Sequence, residues 1–247
     1  MKFIGIIPAR YASTRFPGKP LADMKGKPMI QRVYEQAAQA LDTLWVATDD
    51  TRIFDAVTAF GGRAVMTSDR HRSGTDRCEE ALRLCGQTGD VVINIQGDEP
   101  FIHPDQIHAL IHCFDTPRTQ IATLVKPFTP DDGIAALHNP NSPKVLLNDQ
   151  NEALCFSRSV IPYLRGVPPE EWLSHHTFYK HIGMYAYRTD ILHAITRLPQ
   201  SSLELAESLE QLRWLQHGYT IKVGITRQET IGIDTPDDLR KALDLLP

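Results

Sequence analysis

Short apolar runs alternate with longer amphipathic stretches through the first half of the chain. Residues 3–7, 44–47, 64–66 and 91–95 are strand-length runs dominated by Val, Ile, Leu and Ala, the pattern of strands buried on both faces. Between them, the segments near 28–41, 50–60 and 75–85 read as helices; in the first, Ile30, Val33, Ala37 and Leu41 recur at a spacing that covers one face. This alternation predicts βαβ units, hence an α/β fold with a mostly parallel sheet and helices on both faces, a Rossmann-like arrangement. Right-handed crossovers bring the carboxyl ends of such strands to one edge. That edge collects Arg10, then Thr48, Asp49 and Asp50, then Gln96, Gly97, Asp98 and Glu99.

Beyond residue 115 the pattern changes. Strand candidates at 121–125, 144–147, 153–156 and 178–187 come with several prolines and an irregular piece, 157–177, which suggests a small inserted subdomain or dimer arm around 150–188 within a single domain spanning 1–247. Ser201 with Glu204 forms a capping-box pattern that opens a helix to about 216. Thr235, Pro236, Asp237 and Asp238 supply an N-cap, a proline at the first helical position and first-turn acids for the last helix. A strand at 220–225 and a turn at 230–234 lie between these helices.

Composition narrows the class. Of 247 residues, 42% are hydrophobic and 23% charged, a balance that builds a core and leaves no case for disorder. Thirty acidic against 26 basic side chains give a net charge of −4, which argues against a general nucleic-acid binder. No apolar run is long enough to span a bilayer, and Lys2 leads directly into a strand without a cleavage site, so a cytoplasmic location is the expectation. Cys78, Cys85, Cys113 and Cys155 form no C-x-x-C pair and are expected to be reduced core residues, with Cys78 and Cys85 on one buried helix face.

Against that background the loop after the first strand stands out. Arg10, Arg15, Lys19, Lys25 and Lys27 oppose only Asp23 in residues 10–27, a local +4 in an acidic chain. Pro8, Pro17, Gly18 and Pro20 keep the loop out of a helix, and Ser13 and Thr14 add hydroxyls. Backbone N–H groups, two planar guanidinium forks and an ammonium suit a polyphosphate, and the edge beyond the first strand is where an open α/β sheet places its ligand. P-loop, dinucleotide-fingerprint and zinc-peptidase motifs are absent.

Asp98 follows the most hydrophobic strand and suits Mg²⁺, which takes one or two carboxylates and completes its shell with water and phosphate oxygens; capping the helix near Pro104 is the competing role. Asp234 follows a second short apolar strand, with Gly232 expected to permit close backbone approach, and competes with the role of a plain loop acid. Ser73, Gly74 and Thr75 precede a helix whose free N–H groups attract anions or polar base edges, and Thr75 doubles as an N-cap candidate. In the second half, Arg158 and His181 lie beside strands and can bind a carboxylate. Glu210 and Gln211 fit a site or a plain surface equally well.

Taken together, the motifs IPARYASTRFPGKPL (7–21), ATDD (47–50), HRSGTDR (71–77), INIQGDEP (93–100), SR (157–158), HIGMYAYR (181–188), LEQLR (209–213) and GIDTPDDL (232–239) resemble those of the bacterial 3-deoxy-manno-octulosonate cytidylyltransferases (CMP-Kdo synthetases) across nearly the whole chain. The resemblance implies a nucleotidyltransferase fold, a homodimer, CTP and Mg²⁺ as requirements, and transfer to the 3-deoxy keto-acid sugar Kdo for lipopolysaccharide synthesis. An 8-amino-Kdo or a sialic acid is the alternative acceptor. It places Ala9, Arg10, Ser13, Arg15 and Lys19 on the CTP phosphates, Ser73, Gly74, Thr75 and Gln96 around ribose and base, and Asp98 and Asp234 on the metal. Arg158, His181, Tyr185, Glu210 and Gln211 would line the sugar-acid site, with Arg10, Lys19 and Asp98 as the catalytic set.

Overall fold

Ile4, Ile6 and Ile7 have no exposed surface, because the strand that carries them is paired along both edges and covered on both faces. A computed structural model describes residues 1–12 and 15–246. Its strands are β1 (Phe3–Ala9), β2 (Leu44–Thr48), β3 (Ala64–Met66), β4 (Val91–Asn94), β5 (Ile121–Pro127), β6 (Lys144–Leu147), β7 (Ala153–Ser157), β8 (Tyr179–Arg188) and β9 (Ile221–Ile225). The helices are α1 (Met29–Ala37), α2 (Thr51–Ala59), α3 (Gly74–Leu84), α4 (Pro104–His112), α5 (Gly133–His138), α6 (Trp172–His175), α7 (Thr189–Ile195), α8 (Ser202–Glu207), α9 (Gln211–Gln216) and α10 (Pro236–Leu243).

These elements form two compact units, one of Met1–His108, Ala186–Thr196 and Thr230–Pro247, the other of Ala109–Tyr185 and Arg197–Glu229. In the first, β3, β2, β1 and β4 lie side by side in that order, all parallel. Because β1 has β2 on one edge and β4 on the other, the chain reverses its direction of winding at β1, and a crevice opens outside the carboxyl ends there. Ile30, Val33 and Ala37 are buried on α1, as the spacing predicts, together with Met29; Leu41 is buried too but lies beyond the end of the helix. Asp50 caps α2, its side chain accepting from the Arg52 backbone N–H at 3.0 Å.

In the second unit β5 pairs parallel with β9, while β6 runs antiparallel between β7 and β8. The segment that reads as irregular in the sequence folds onto a core of its own: Trp172 of α6 packs with Phe128, Leu137 and Phe178, and its indole N–H donates to the Val167 carbonyl at 2.9 Å. The mostly parallel α/β reading therefore describes the fold.

Three sequence expectations need correction. The helix expected from 201 to about 216 is two helices, α8 and α9, because Ser208 adopts a left-handed conformation (φ 51°). Arg158 satisfies the carbonyls freed by that break, donating to Glu207 O at 2.6 Å and Ser208 O at 3.3 Å. Residues 231–234 form no strand; the Ile233 N–H makes a backbone bond to the Asp98 carbonyl at 2.9 Å, and nothing lies within 4 Å of where a Gly232 side chain would begin. The capping box at Ser201 forms as expected, and Thr235 is the N-cap of α10, where the Asp238 side chain adds a second capping box. Cys78 is buried, whereas Cys85 ends α3 half exposed, so the two do not share one buried face; all four cysteines are free thiols. Among the described residues no helix is long and apolar enough to cross a membrane.

Candidate active site

The crevice at the β1/β4 switch point is a cavity of about 260 Å³, walled by residues that end β1 (Pro8, Ala9) or follow it (Arg10, Arg15, Lys19), precede and open α3 (Ser73, Gly74) and follow β4 (Gln96, Asp98), with Asp234 at its rim. Two glycines let these loops approach. At Gly97 a side-chain carbon would sit 2.9 Å from the Pro8 carbonyl oxygen, and Gly18 holds a left-handed turn (φ 70°) directly against the Tyr11 ring. Gly97→Ala should therefore force the two loops apart, lowering stability by about 1–3 kcal/mol as other overpacked sites do. Denaturant unfolding would register that loss, and titration calorimetry would register weaker CTP binding.

Charge in the cavity is arranged around Lys19. Its ammonium lies 2.6 Å from Asp98 Oδ2 and 3.5 Å from Asp234 Oδ1, so the two carboxylates, 136 residues apart in sequence, stand within the sum of those distances. Arg15 closes the rim with a bidentate pair to Asp234 at 3.0 and 3.1 Å. Arg10 is exposed on the cavity wall and has no acidic partner among the described residues, which leaves its guanidinium for an incoming anion.

The α3 N-terminus completes the wall. Ser73, rather than Thr75, is the N-cap: its hydroxyl accepts from the Asp76 N–H at 3.1 Å, while Thr75 is buried with its hydroxyl 3.5 Å from Tyr187 Oη. Ala9 and Gln96 line the cavity; Ser13 lies outside the described residues. His71, Arg72 and Arg77 also face the cavity, although sequence reasoning assigned none of them a role there. For Arg77 a signal existed in the ATDD motif. The buried guanidinium is fixed by Asp49 at 2.9 Å and by Thr67 at 2.6 Å, so the residue directly after β2 supplies the acid that orients it. His71 bonds Glu80 at 2.6 Å; burial alone would raise the Glu80 carboxyl, but bonds from His71 and the Ser68 N–H hold it below its ordinary value.

The proposed sugar-acid residues all lie in the second unit. Arg158 spends three donors on the carbonyls of Glu207, Ser208 and Pro140, and its backbone N–H bonds the Glu207 carboxylate at 2.9 Å. His181 packs its ring against Phe156 and Tyr185, with centroids 5.1 and 5.4 Å away, and burial pushes its pKa down to about 3. It is therefore a neutral ring and supplies no charge for a carboxylate; of the pair suggested by the sequence, only Arg158 is a cation. Tyr185 is buried against Trp214 at 5.1 Å, and burial, with Glu210 adding to it, drives its phenol well above the ordinary value. Gln211 is 4% exposed, and its Nε2 has no acceptor among the described residues. Glu210, half buried, stands 3.6 Å from Arg213.

Hard oxygen donors on two carboxylates, already gathered around one positive charge, fit a divalent cation that completes its shell with phosphate oxygens and water. No group of three or more His, Cys, Asp or Glu side chains placed to hold a metal occurs among the described residues, so such an ion would depend on the substrate for the rest of its ligands. An α/β sheet edge that sets cationic side chains and a helix N-terminus for phosphates beside paired acids for a divalent cation is the arrangement a nucleotidyltransferase uses.

Comparisons with known proteins agree. A family model described as cytidylyltransferase matches residues 4–223. The chain is 70% identical over 247 residues to a 3-deoxy-manno-octulosonate cytidylyltransferase of Parabacteroides distasonis, covering 100% of this chain and 98% of that one. It is 66% identical to the enzyme of the same name from Bacteroides thetaiotaomicron, with coverage of 100% and 98%. A CMP:2-keto-3-deoxy-manno-octonic acid synthetase solved in complex with CTP superimposes with a TM-score of 0.90 at 44% identity, covering 99% of this chain and 98% of the other. A 4-diphosphocytidyl-2C-methyl-D-erythritol synthase from Anaerococcus prevotii, at 13% identity over 99% and 98% of the two chains and a TM-score of 0.63, shares the fold. The chain belongs to the 3-deoxy-manno-octulosonate cytidylyltransferase family.

Proposed function

We propose that this chain transfers the cytidylyl group of CTP to the anomeric hydroxyl of Kdo, releasing pyrophosphate and forming CMP-Kdo for lipopolysaccharide synthesis. The observation that carries the reading is Lys19 between Asp98 and Asp234 in a cavity also lined by Arg10 and Arg15. In-line attack of the sugar oxygen on the α-phosphorus breaks the bond to the bridging oxygen, and negative charge grows on the phosphoryl oxygens and the leaving pyrophosphate. Arg10, Arg15 and Lys19 offer fixed cations to that charge, and the Ser73–Thr75 turn at the head of α3 offers backbone N–H groups to ribose and base. Asp98 and Asp234 would hold Mg²⁺, which when bound neutralises phosphoryl charge. Asp98 also stands as the group to take the hydroxyl proton, with water as the other route. Arg158, His181, Tyr185, Glu210 and Gln211 are assigned to the sugar acid; the buried Nε2 of Gln211, without an acceptor among the described residues, supports that assignment, since a buried donor without an acceptor costs stability unless a ligand supplies one.

Homodimerisation and a cytoplasmic location belong to the same reading. Pyrophosphate release should require CTP, Mg²⁺ and Kdo together; equal turnover with UTP and a hexose phosphate would reject the assignment. Side-by-side rates with 8-amino-Kdo and a sialic acid identify the preferred acceptor.

A further inference from the structure

The hydrogen-bond count around Thr123 on β5 fixes the chemistry of His181. The Thr123 hydroxyl has one proton and two lone pairs. Its Oγ1 lies 2.8 Å from the Met184 carbonyl, 3.2 Å from the Ile182 carbonyl and 3.1 Å from His181 Nε2, and the Tyr185 phenol is a further hydrogen-bond partner that can donate to its second lone pair. Carbonyl oxygens only accept, so the single hydroxyl proton goes to them, the nearer being Met184. The contact to Nε2 is then a hydrogen bond only if Nε2 carries a proton and donates to Oγ1. In a neutral imidazole that leaves Nδ1 bare, as an acceptor, and Nδ1 has no partner among the described residues.

The groups around that acceptor are the ones assigned above to the sugar acid. His181, Gly183 and Tyr185 share one face of β8, since side chains alternate along a strand. Nothing lies within 4 Å of where a Gly183 side chain would begin, and the rings of His181 and Tyr185 approach to 5.4 Å between centroids. Tyr185 packs edge-on against Trp214, and Gln211, one helical turn before Trp214 on α9, contributes the donor that lacks an acceptor. An acceptor cannot bind a carboxylate, but it can take the proton of a hydroxyl.

We infer that Thr123 is a positioning residue that locks His181 in its Nε2–H tautomer, so that Nδ1 accepts a hydrogen bond from a hydroxyl of the acceptor sugar rather than meeting its carboxylate. This rests on the sugar-acid site proposed above and adds the polarity of one of its contacts. Long-range ¹H–¹⁵N correlation spectra of substrate-free protein with labelled histidine test the tautomer directly. His181 should show a protonated Nε2 and a bare Nδ1; a protonated Nδ1 overturns the inference. Thr123→Val should lose the single tautomer and raise the Kdo KM roughly tenfold, as expected for one lost buried hydrogen bond, with kcat and the CTP KM little changed. Thr123→Ser should restore both readouts, and a serine variant that behaves like valine also overturns it. With monodeoxy analogues of Kdo, removal of one particular hydroxyl should erase the difference between wild type and His181→Ala. If amidating the carboxylate erases it instead, the contact is to the carboxylate and the inference fails. Absence of turnover with every sugar acid would sink the proposed function, whereas the tautomer spectrum does not depend on activity.

Discussion

Asp98→Asn should slow pyrophosphate release by about a hundredfold or more, the size of loss seen when one preorganised electrostatic group is taken from an active site, while thermal unfolding stays close to wild type. The substitution keeps the shape of the side chain and removes its charge. Lys19 then retains only Asp234, which is farther from it, and the carboxylate assigned to both metal and proton is gone. Fold stability moves little because Asp98 is part-exposed and its backbone bond to Ile233 is untouched. Saturating-substrate assays with stopped detection of pyrophosphate decide the matter: near-normal kcat removes Asp98 from the chemistry.

The largest effect on stability is expected from Arg213→Leu. Arg213 forms a bidentate pair with Glu204 at 2.5 and 2.8 Å, with about a tenth of either side chain exposed, and Glu204 also closes the Ser201 capping box. Removing the guanidinium leaves a buried carboxylate uncompensated, a change that costs about 3–5 kcal/mol, whereas replacing both partners with apolar residues costs far less. Denaturant unfolding of Arg213→Leu and of the Glu204→Leu, Arg213→Leu pair checks both halves. Burial by itself would raise the Glu204 carboxyl, but Arg213 and the Ser201 N–H outweigh it and hold the folded-state value below the ordinary 4.5. The stabilisation is therefore complete above that ordinary value and is lost as pH falls through the lower folded one. Wild type should lose this increment in acid, and the double variant should have none to lose.

Both residues belong to motifs visible in the sequence, yet they were not equally legible. Asp98 ends an unmistakably buried strand, and strand ends gather at one edge in any parallel sheet, so its place in the cavity follows from pattern alone. Arg213 sits in LEQLR, where helical spacing shows only that it shares an element with Glu210 and Gln211. Its partner Glu204 became its neighbour because the chain folds back at Ser208, and a serine in a left-handed conformation leaves little trace in composition. The same limit applies to Arg77, whose orienting acid lies 28 residues away just after β2, where the ATDD motif marks the acid but not its partner, and to Thr123, whose meaning depends on two carbonyls of a neighbouring strand. Local spacing specifies elements and caps; it is silent on which distant backbone atoms end up facing a side chain.

The two ion pairs that share Asp234 and Lys19 differ in how much solvent they meet. Arg15 and Asp234, with side chains 65% and 49% exposed, sit within reach of dissolved ions, whereas the Lys19 side chain is only 14% exposed. Mobile counter-ions weaken the first and scarcely touch the second. The entrance to the crevice is thus held by a latch that loosens as the medium becomes more saline, while the charge at its floor keeps its arrangement.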